Sequence, residues 1–162
     1  MKQSFLPILS NEPRILILGS LPGDLSIKEN QYYAHPQNRF WKILFAIYNE
    51  SFSENYEFRQ QLILNNHLAL WDVAHSAIRK GSMDIEMKDE KPNKIDELLT
   101  QYPTIEKVLF NGKKAEQLFF KNFEQKTHIN YISLPSTSPA NAQYSLDRLI
   151  EIWKNALIWT DN

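Results

Sequence analysis

Four short apolar runs, each broken off by a glycine, a proline or a polar side chain, set the tightest limit on what this chain can fold into. Residues 14–18 run into Gly19, 68–70 into Trp71-Asp72-Val73, 107–110 into Asn111-Gly112, and 130–134 into Pro135. Runs of this length and composition read as buried strands. Between them, apolar residues recur at helical spacing. Phe40, Trp41, Leu44, Phe45 and Tyr48 mark a helix over 38–48, and Tyr56, Leu62 and Ile63 mark one over 53–65. Two more are predicted over 93–101, after Pro92, and over 113–123. A last helix over 143–159 carries Leu146, Leu149, Ile150, Trp153, Leu157 and Ile158. Residues 74–92, with Gly81-Ser82 and many charges, are predicted to be mostly loop with a short helix at best.

Strands alternating with helices predict an α/β fold, a three-layer α/β/α sandwich around a central, mainly parallel sheet of four strands. Parallel connections then gather the four post-strand loops at one sheet edge, where such folds hold ligands. Those loops contain Leu21-Pro22-Gly23, Asp72, Asn111-Gly112 and the stretch from Ser136 to Asn141. The segment 19–41 after the first run is the richest in small, aromatic and hydrogen-bonding residues.

With 162 residues, 43% of them hydrophobic, the chain can bury one full core, and a single domain over 1–162 is expected. It has no cysteine, which excludes disulfides and iron–sulfur clusters and removes the strongest zinc ligands. His35, His67, His75 and His128 show no metal-ligand spacing, so neither a metal nor a cofactor is expected. The N-terminus has too short an apolar stretch for a signal peptide, and no run is long enough to span a bilayer, so a cytoplasmic protein without membrane contact is expected.

A net charge of −1 argues against a protein that coats nucleic acid, but it leaves room for a local basic face such as Lys113, Lys114, Lys121 and Lys126. The gathered loops offer amides, hydroxyls, one carboxylate and aromatic rings. They offer no Gly-x-Ser-x-Gly turn and no phosphate-cradling glycine motif.

Gly19-Ser20-Leu21-Pro22-Gly23, Tyr33-Ala34-His35-Pro36-Gln37-Asn38-Arg39-Phe40-Trp41, Trp71-Asp72-Val73, Phe110-Asn111-Gly112-Lys113-Lys114-Ala115 and Leu134-Pro135-Ser136-Thr137-Ser138 together resemble the uracil-DNA glycosylase superfamily. Within it the sequence is most similar to the hypoxanthine-DNA (deoxyinosine) glycosylases, with the mismatch-specific uracil/thymine glycosylases as nearer cousins than the classical uracil enzymes. The motifs follow the family's order from about Arg14 to the last helix. The resemblance implies a monomeric, cofactor-free base-excision repair enzyme that flips a deaminated base out of damaged DNA and hydrolyses its N-glycosidic bond.

The resemblance also assigns residues. Tyr33 falls where an aromatic ring stacks on the base, and Asp72 where a side chain reads its edge. An ionised carboxylate only accepts hydrogen bonds, so Asp72 could take the N1–H of hypoxanthine, a donor adenine lacks. Gly19, Leu21 and Pro22 would shape the base pocket through backbone. Relatives usually carry Asp or Asn at the position of Leu21 to hold the attacking water, so the catalytic assignment passes to Asn38 of the His-Pro-x-Asn motif. Asn38 also suits a helix cap before Phe40, and the two roles are compatible. Ser136, Thr137, Ser138, Pro139, Ala140 and Asn141 resemble the loop that grips phosphate and fills the gap left by the flipped base, with Lys113 as a further DNA contact. No lysine in the motif loops suits Schiff-base chemistry, so the expected product is an intact abasic site. Two alternatives stay open: the same fold acting on uracil in mismatches, and a non-catalytic module that binds damaged DNA or a nucleoside.

Overall fold

The computed structural model describes residues 1–158. In chain order its elements are β1 (Lys2–Gln3), β2 (Ile8–Leu9), β3 (Ile15–Gly19), α1 (Asp24–Glu29), α2 (Phe40–Ile47), α3 (Tyr56–Asn65), β4 (Leu68–Asp72), β5 (Ala74–Ile78), β6 (Lys88–Pro92), α4 (Ile95–Gln101), β7 (Lys107–Asn111), α5 (Lys113–Asn122), β8 (Asn130–Leu134) and α6 (Leu146–Leu157). A 3₁₀ turn, Asp84–Glu86, lies between β5 and β6. No helix among the described residues is long and apolar enough to cross a membrane.

The central sheet has the order β2-β4-β3-β7-β8. Four strands are parallel, as the sequence predicts, and two-residue β2 adds an antiparallel edge against β4 that its length concealed. Strand β3 is central and buried along its whole length, so each of its aliphatic side chains contributes about 1.5–3 kcal/mol by leaving water. Its pleat divides them between two cores. Ile15 and Ile17 pack with Phe40, Trp41, Leu44, Leu149 and Trp153 of α2 and α6. Leu16 and Leu18 pack with Leu98, Leu99, Leu118 and Phe119 of α4 and α5. Helices on both faces complete the three layers.

The chain leaves β3 to form β4 on one side and later β7 on the other, so the sheet reverses its direction of growth at β3. Gly19 is in register with Asp72, and Asn111 with Leu134. The four carboxyl ends therefore lie level around this switch point.

Two stretches differ from expectation. Residues 74–92 are not mainly loop: β5 and β6 pair as an irregular antiparallel hairpin, and β1 completes a three-stranded sheet. Lys88–Pro92 (KDEKP) has no apolar alternation and is largely exposed, so its extended form rests on backbone pairing rather than on burial. Helix α1 forms within residues 19–37, where the sequence predicts no helix. Asp24 sits in its first turn, Lys28 in its last, and left-handed Asn30 closes it. Of the predicted final helix, Trp159 lies outside the described residues.

Candidate active site

A cavity of about 960 Å³ opens at the carboxyl ends of β3, β4, β7 and β8. Every candidate residue lines it: Gly19, Leu21, Pro22, Tyr33, Asn38, Asp72, Lys113 and the six from Ser136 to Asn141. How each is held differs.

Tyr33 stands at φ +52°, a left-handed conformation that turns its ring back over α2. One face stacks on Phe40, with centroids 4.1 Å apart and planes 26° from parallel. Its phenol accepts from Asn111 Nδ2 at 3.1 Å and keeps its own proton to donate. Burial and the nearby Asp72 carboxylate push the pKa of this phenol up, so the proton stays.

Asp72 is 3% exposed. Its backbone carbonyl is tied down by Asn93 Nδ2 at 2.8 Å, while its Oδ2 is buried without a protein partner. Burial, then repulsion from Asp84, lift its pKa to about 7 against the pull of Arg79. Asp84 accepts from Ser20 Oγ at 2.6 Å and is itself shifted upward, mainly by burial. Gly19 lets this group close up: a Cβ there would sit 2.6 Å from Asp72 Oδ1 and 2.8 Å from Tyr33 Oη.

Asn38 spends its carbonyl on structure. Oδ1 accepts from Phe40 N and from Thr137 Oγ1, both at 2.9 Å. The backbone donor at Phe40 fixes which end of the amide is oxygen, and both lone pairs are then used. The N-cap of α2 is Arg39, without a side-chain cap bond, so Asn38 is not the cap expected of it: it stands one residue earlier and holds the turn into the helix through the Phe40 amide, and its Nδ2 is left as the group with hydrogens to offer.

Thr137 is fully buried. It links Asn38 to Asn111, whose Nδ2 donates to Thr137 Oγ1 at 3.0 Å and whose Oδ1 accepts from Thr137 N at 3.0 Å. A continuous chain, Tyr33–Asn111–Thr137–Asn38, therefore crosses the floor of the cavity. Ser136, Ser138 and Asn141 are half-buried, whereas Pro139 and Ala140 are exposed. The loop's shape is held by Arg39, whose guanidinium donates to the carbonyls of Tyr144, Ser138 and Asn141. Lys113 is exposed, while Lys114 pairs with Glu90 at 2.9 Å, so the basic cluster is partly neutralised.

Leu21 is buried and packs among Val73, Ala74 and Phe110 in the second core, offering the cavity no polar group. The Pro22 carbonyl accepts from buried Arg79 Nη2 at 2.6 Å, and the Asp24 amide donates to Ser82 Oγ at 2.9 Å. The β5–β6 hairpin thus clamps the first loop. Asp84 and Ser82 line the cavity, whereas His75 turns to Asn93 Oδ1 at 3.2 Å.

Sequence reasoning gave no role to Arg39 or Arg79, placed Asn111 at the loop edge without a role, and left the roles of His75, Ser82 and Asp84 open in a segment expected near the pocket because it follows Asp72. The Asn-Gly after the third run did signal a polar strand end. Nothing local marks Arg79, and Asp84 is marked only by its segment's place after Asp72; both arrive through the hairpin.

Comparison with known proteins places the chain among relatives. A family model described as the uracil DNA glycosylase superfamily matches residues 6–157. A Methanosarcina barkeri protein named hypoxanthine DNA glycosylase is 45% identical over 115 residues, 70% of this chain and 73% of that protein. A Methanosarcina acetivorans protein of the same name is 34% identical over 151 residues, 91% of this chain and 93% of that one. The solution NMR structure of a candidate uracil DNA glycosylase from Methanosarcina acetivorans superposes with a TM-score of 0.83 at 34% identity, covering 96% of both chains. The chain belongs to the uracil DNA glycosylase superfamily.

Proposed function

We propose that this protein is a monofunctional DNA glycosylase that excises hypoxanthine from deoxyinosine. The observation that carries the reading is the pairing of Tyr33, backed by Phe40, with a buried and unpartnered Asp72 oxygen at one end of a cavity, in a superfamily member similar to two proteins named hypoxanthine DNA glycosylase. A base swung out of the duplex stacks on Tyr33, and ionised Asp72 accepts its N1–H. Adenine presents a bare acceptor at that position and is refused.

Hydrolysis breaks the bond between C1′ and the purine nitrogen. Water supplies the oxygen that bonds to C1′ and the proton that leaves with the base. With an oxocarbenium-like transition state the nucleophile need not be strong, which suits a site whose first loop carries Leu21. Asn38 Nδ2 holds the oxygen of the water or of the adjacent sugar. Thr137 and Asn111 position it. The exposed Pro139 and Ala140 lie against the DNA, with Ser136, Ser138 and Lys113 on its phosphates.

The reading is tested by incubating the protein with duplexes carrying hypoxanthine, uracil or xanthine and cleaving the products at abasic sites. Preferred hypoxanthine release, without a borohydride-trapped adduct, is the expected result. Strong uracil release with hypoxanthine untouched would refute it in favour of a mismatch uracil enzyme, because uracil presents the same N–H beside a carbonyl. Tight binding without release would leave a damage-binding module.

A further inference from the structure

The network across the cavity floor makes no use of the β5–β6 tip. Met83 is 52% exposed and Ile85 is 85% exposed, although both line the cavity mouth. An isoleucine left in water forgoes the stabilisation that burial would give it. The tip is also held rigid. Asp84 between the two accepts from Ser20 Oγ at 2.6 Å, Ser82 before them accepts from the Asp24 amide at 2.9 Å, and Met87 after them is buried. Inside the turn, the Glu86 amide bonds to the Met83 carbonyl at 3.0 Å and the Met87 amide to that of Asp84 at 3.1 Å.

We propose that Met83 and Ile85 form a second apolar wedge, which enters the base stack of duplex DNA from the side of the cavity opposite Pro139 and Ala140. The proposal rests on the glycosylase reading above and adds a DNA contact to it. The hairpin follows β4 and the 136–141 loop follows β8, and these strands are separated in the sheet by β3 and β7, so the two apolar tips stand on opposite lips of one cavity. A nucleotide extruded between them leaves a gap and two unstacked neighbours. Apolar side chains that enter such steps offset part of the unstacking cost. The occupant is duplex DNA because the tip is continuous with the cavity that takes the extruded base.

The test compares duplex with single-stranded DNA of the same sequence, because only the duplex has a stack to open. Met83→Ser, Ile85→Ser and the double variant replace exposed side chains, and thermal melting checks that they fold as the parent does. The expected result is a fall of about tenfold in kcat/KM on deoxyinosine duplex for the double variant, with less than about twofold change on the single strand. A 2-aminopurine beside the lesion should brighten on binding the parent and less on binding the variant. Unchanged duplex activity, or equal loss on both substrates, overturns the wedge. So does sedimentation showing that the parent self-associates through this tip and the variant does not. A parent protein that releases uracil alone overturns the hypoxanthine reading, and the same comparison on uracil duplex then judges the wedge by itself. A parent that releases no base from either substrate overturns both.

Discussion

The hydroxyl of Thr137 donates to Asn38 Oδ1 at 2.9 Å, which ties the loop after β8 to the turn before α2 and leaves the Asn38 carbonyl no capacity for water. Asn38 can act on the reaction through its amide hydrogens. Asn38→Asp separates that role from holding the turn, because a carboxylate oxygen accepts from the Phe40 amide and the Thr137 hydroxyl as the amide oxygen does but cannot donate when ionised. Asn38→Ala and Asn38→Asp should each lower kcat by about 10²-fold or more, with the Asp variant melting within a few degrees of the parent. Near-normal single-turnover rates in either variant would sink the assignment.

Thr137→Val keeps the shape and removes the hydroxyl, leaving Asn38 held by Phe40 N alone. A loss of about tenfold in kcat with little change in KM is expected, since the buried threonine positions Asn38 without touching the base. Steady-state kinetics on deoxyinosine duplex check it; a change confined to KM would argue for a DNA contact instead.

Asp72 titrates at about 7, so its acceptor-only form is populated above neutrality. Discrimination of hypoxanthine over adenine should therefore improve as pH rises from 6 to 8, because the protonated acid can also donate to adenine N1. Asp72→Asn, which does not ionise, should lose this dependence. Flat discrimination in the parent would remove Asp72 as the reader of the base.

The same shift bears on stability, with the opposite sense. Folding favours the protonated acid, so the contribution is present below the ordinary carboxylate range and is lost as pH rises through about 7. Asp72→Asn should raise the melting temperature at pH 8 by the equivalent of a few kcal/mol, with a smaller gain at pH 5. Thermal melts at the two pH values decide it, and equal effects at both would contradict the buried-carboxyl account.

Gly19→Ala pushes a methyl group to 2.6 Å from Asp72 Oδ1 and 2.8 Å from Tyr33 Oη. The displaced groups should cost about 1–3 kcal/mol of stability. Base release should fall further than stability does, because both displaced atoms face the cavity. Denaturant titration beside kcat/KM measures the two losses separately.

By itself the sequence determined the mainly parallel core and the edge at which the four post-strand loops gather. Each β-run is short, apolar and stopped by a residue that ends it, so local pattern and topology together place Gly19, Asp72, Asn111 and the 136–141 loop at one edge. It also placed an apolar Leu21 in the first loop where the resemblance implies an acid or amide. Only the tertiary structure decided how the polar atoms are spent. Whether Asn38 offers its carbonyl or its amide depends on Thr137, 99 residues away. The pKa of Asp72 is lifted by burial first and by Asp84 second, against the pull of Arg79, and both of these neighbours are carried in by a hairpin with no hydrophobic period to announce it. Strands like β6 persist through backbone pairing with a distant partner, and a charge in a buried site answers to every group packed around it. Both are properties of neighbours in space, so the 19–41 stretch supplies Tyr33 and Asn38 while the rest of the fold sets what each of them can do.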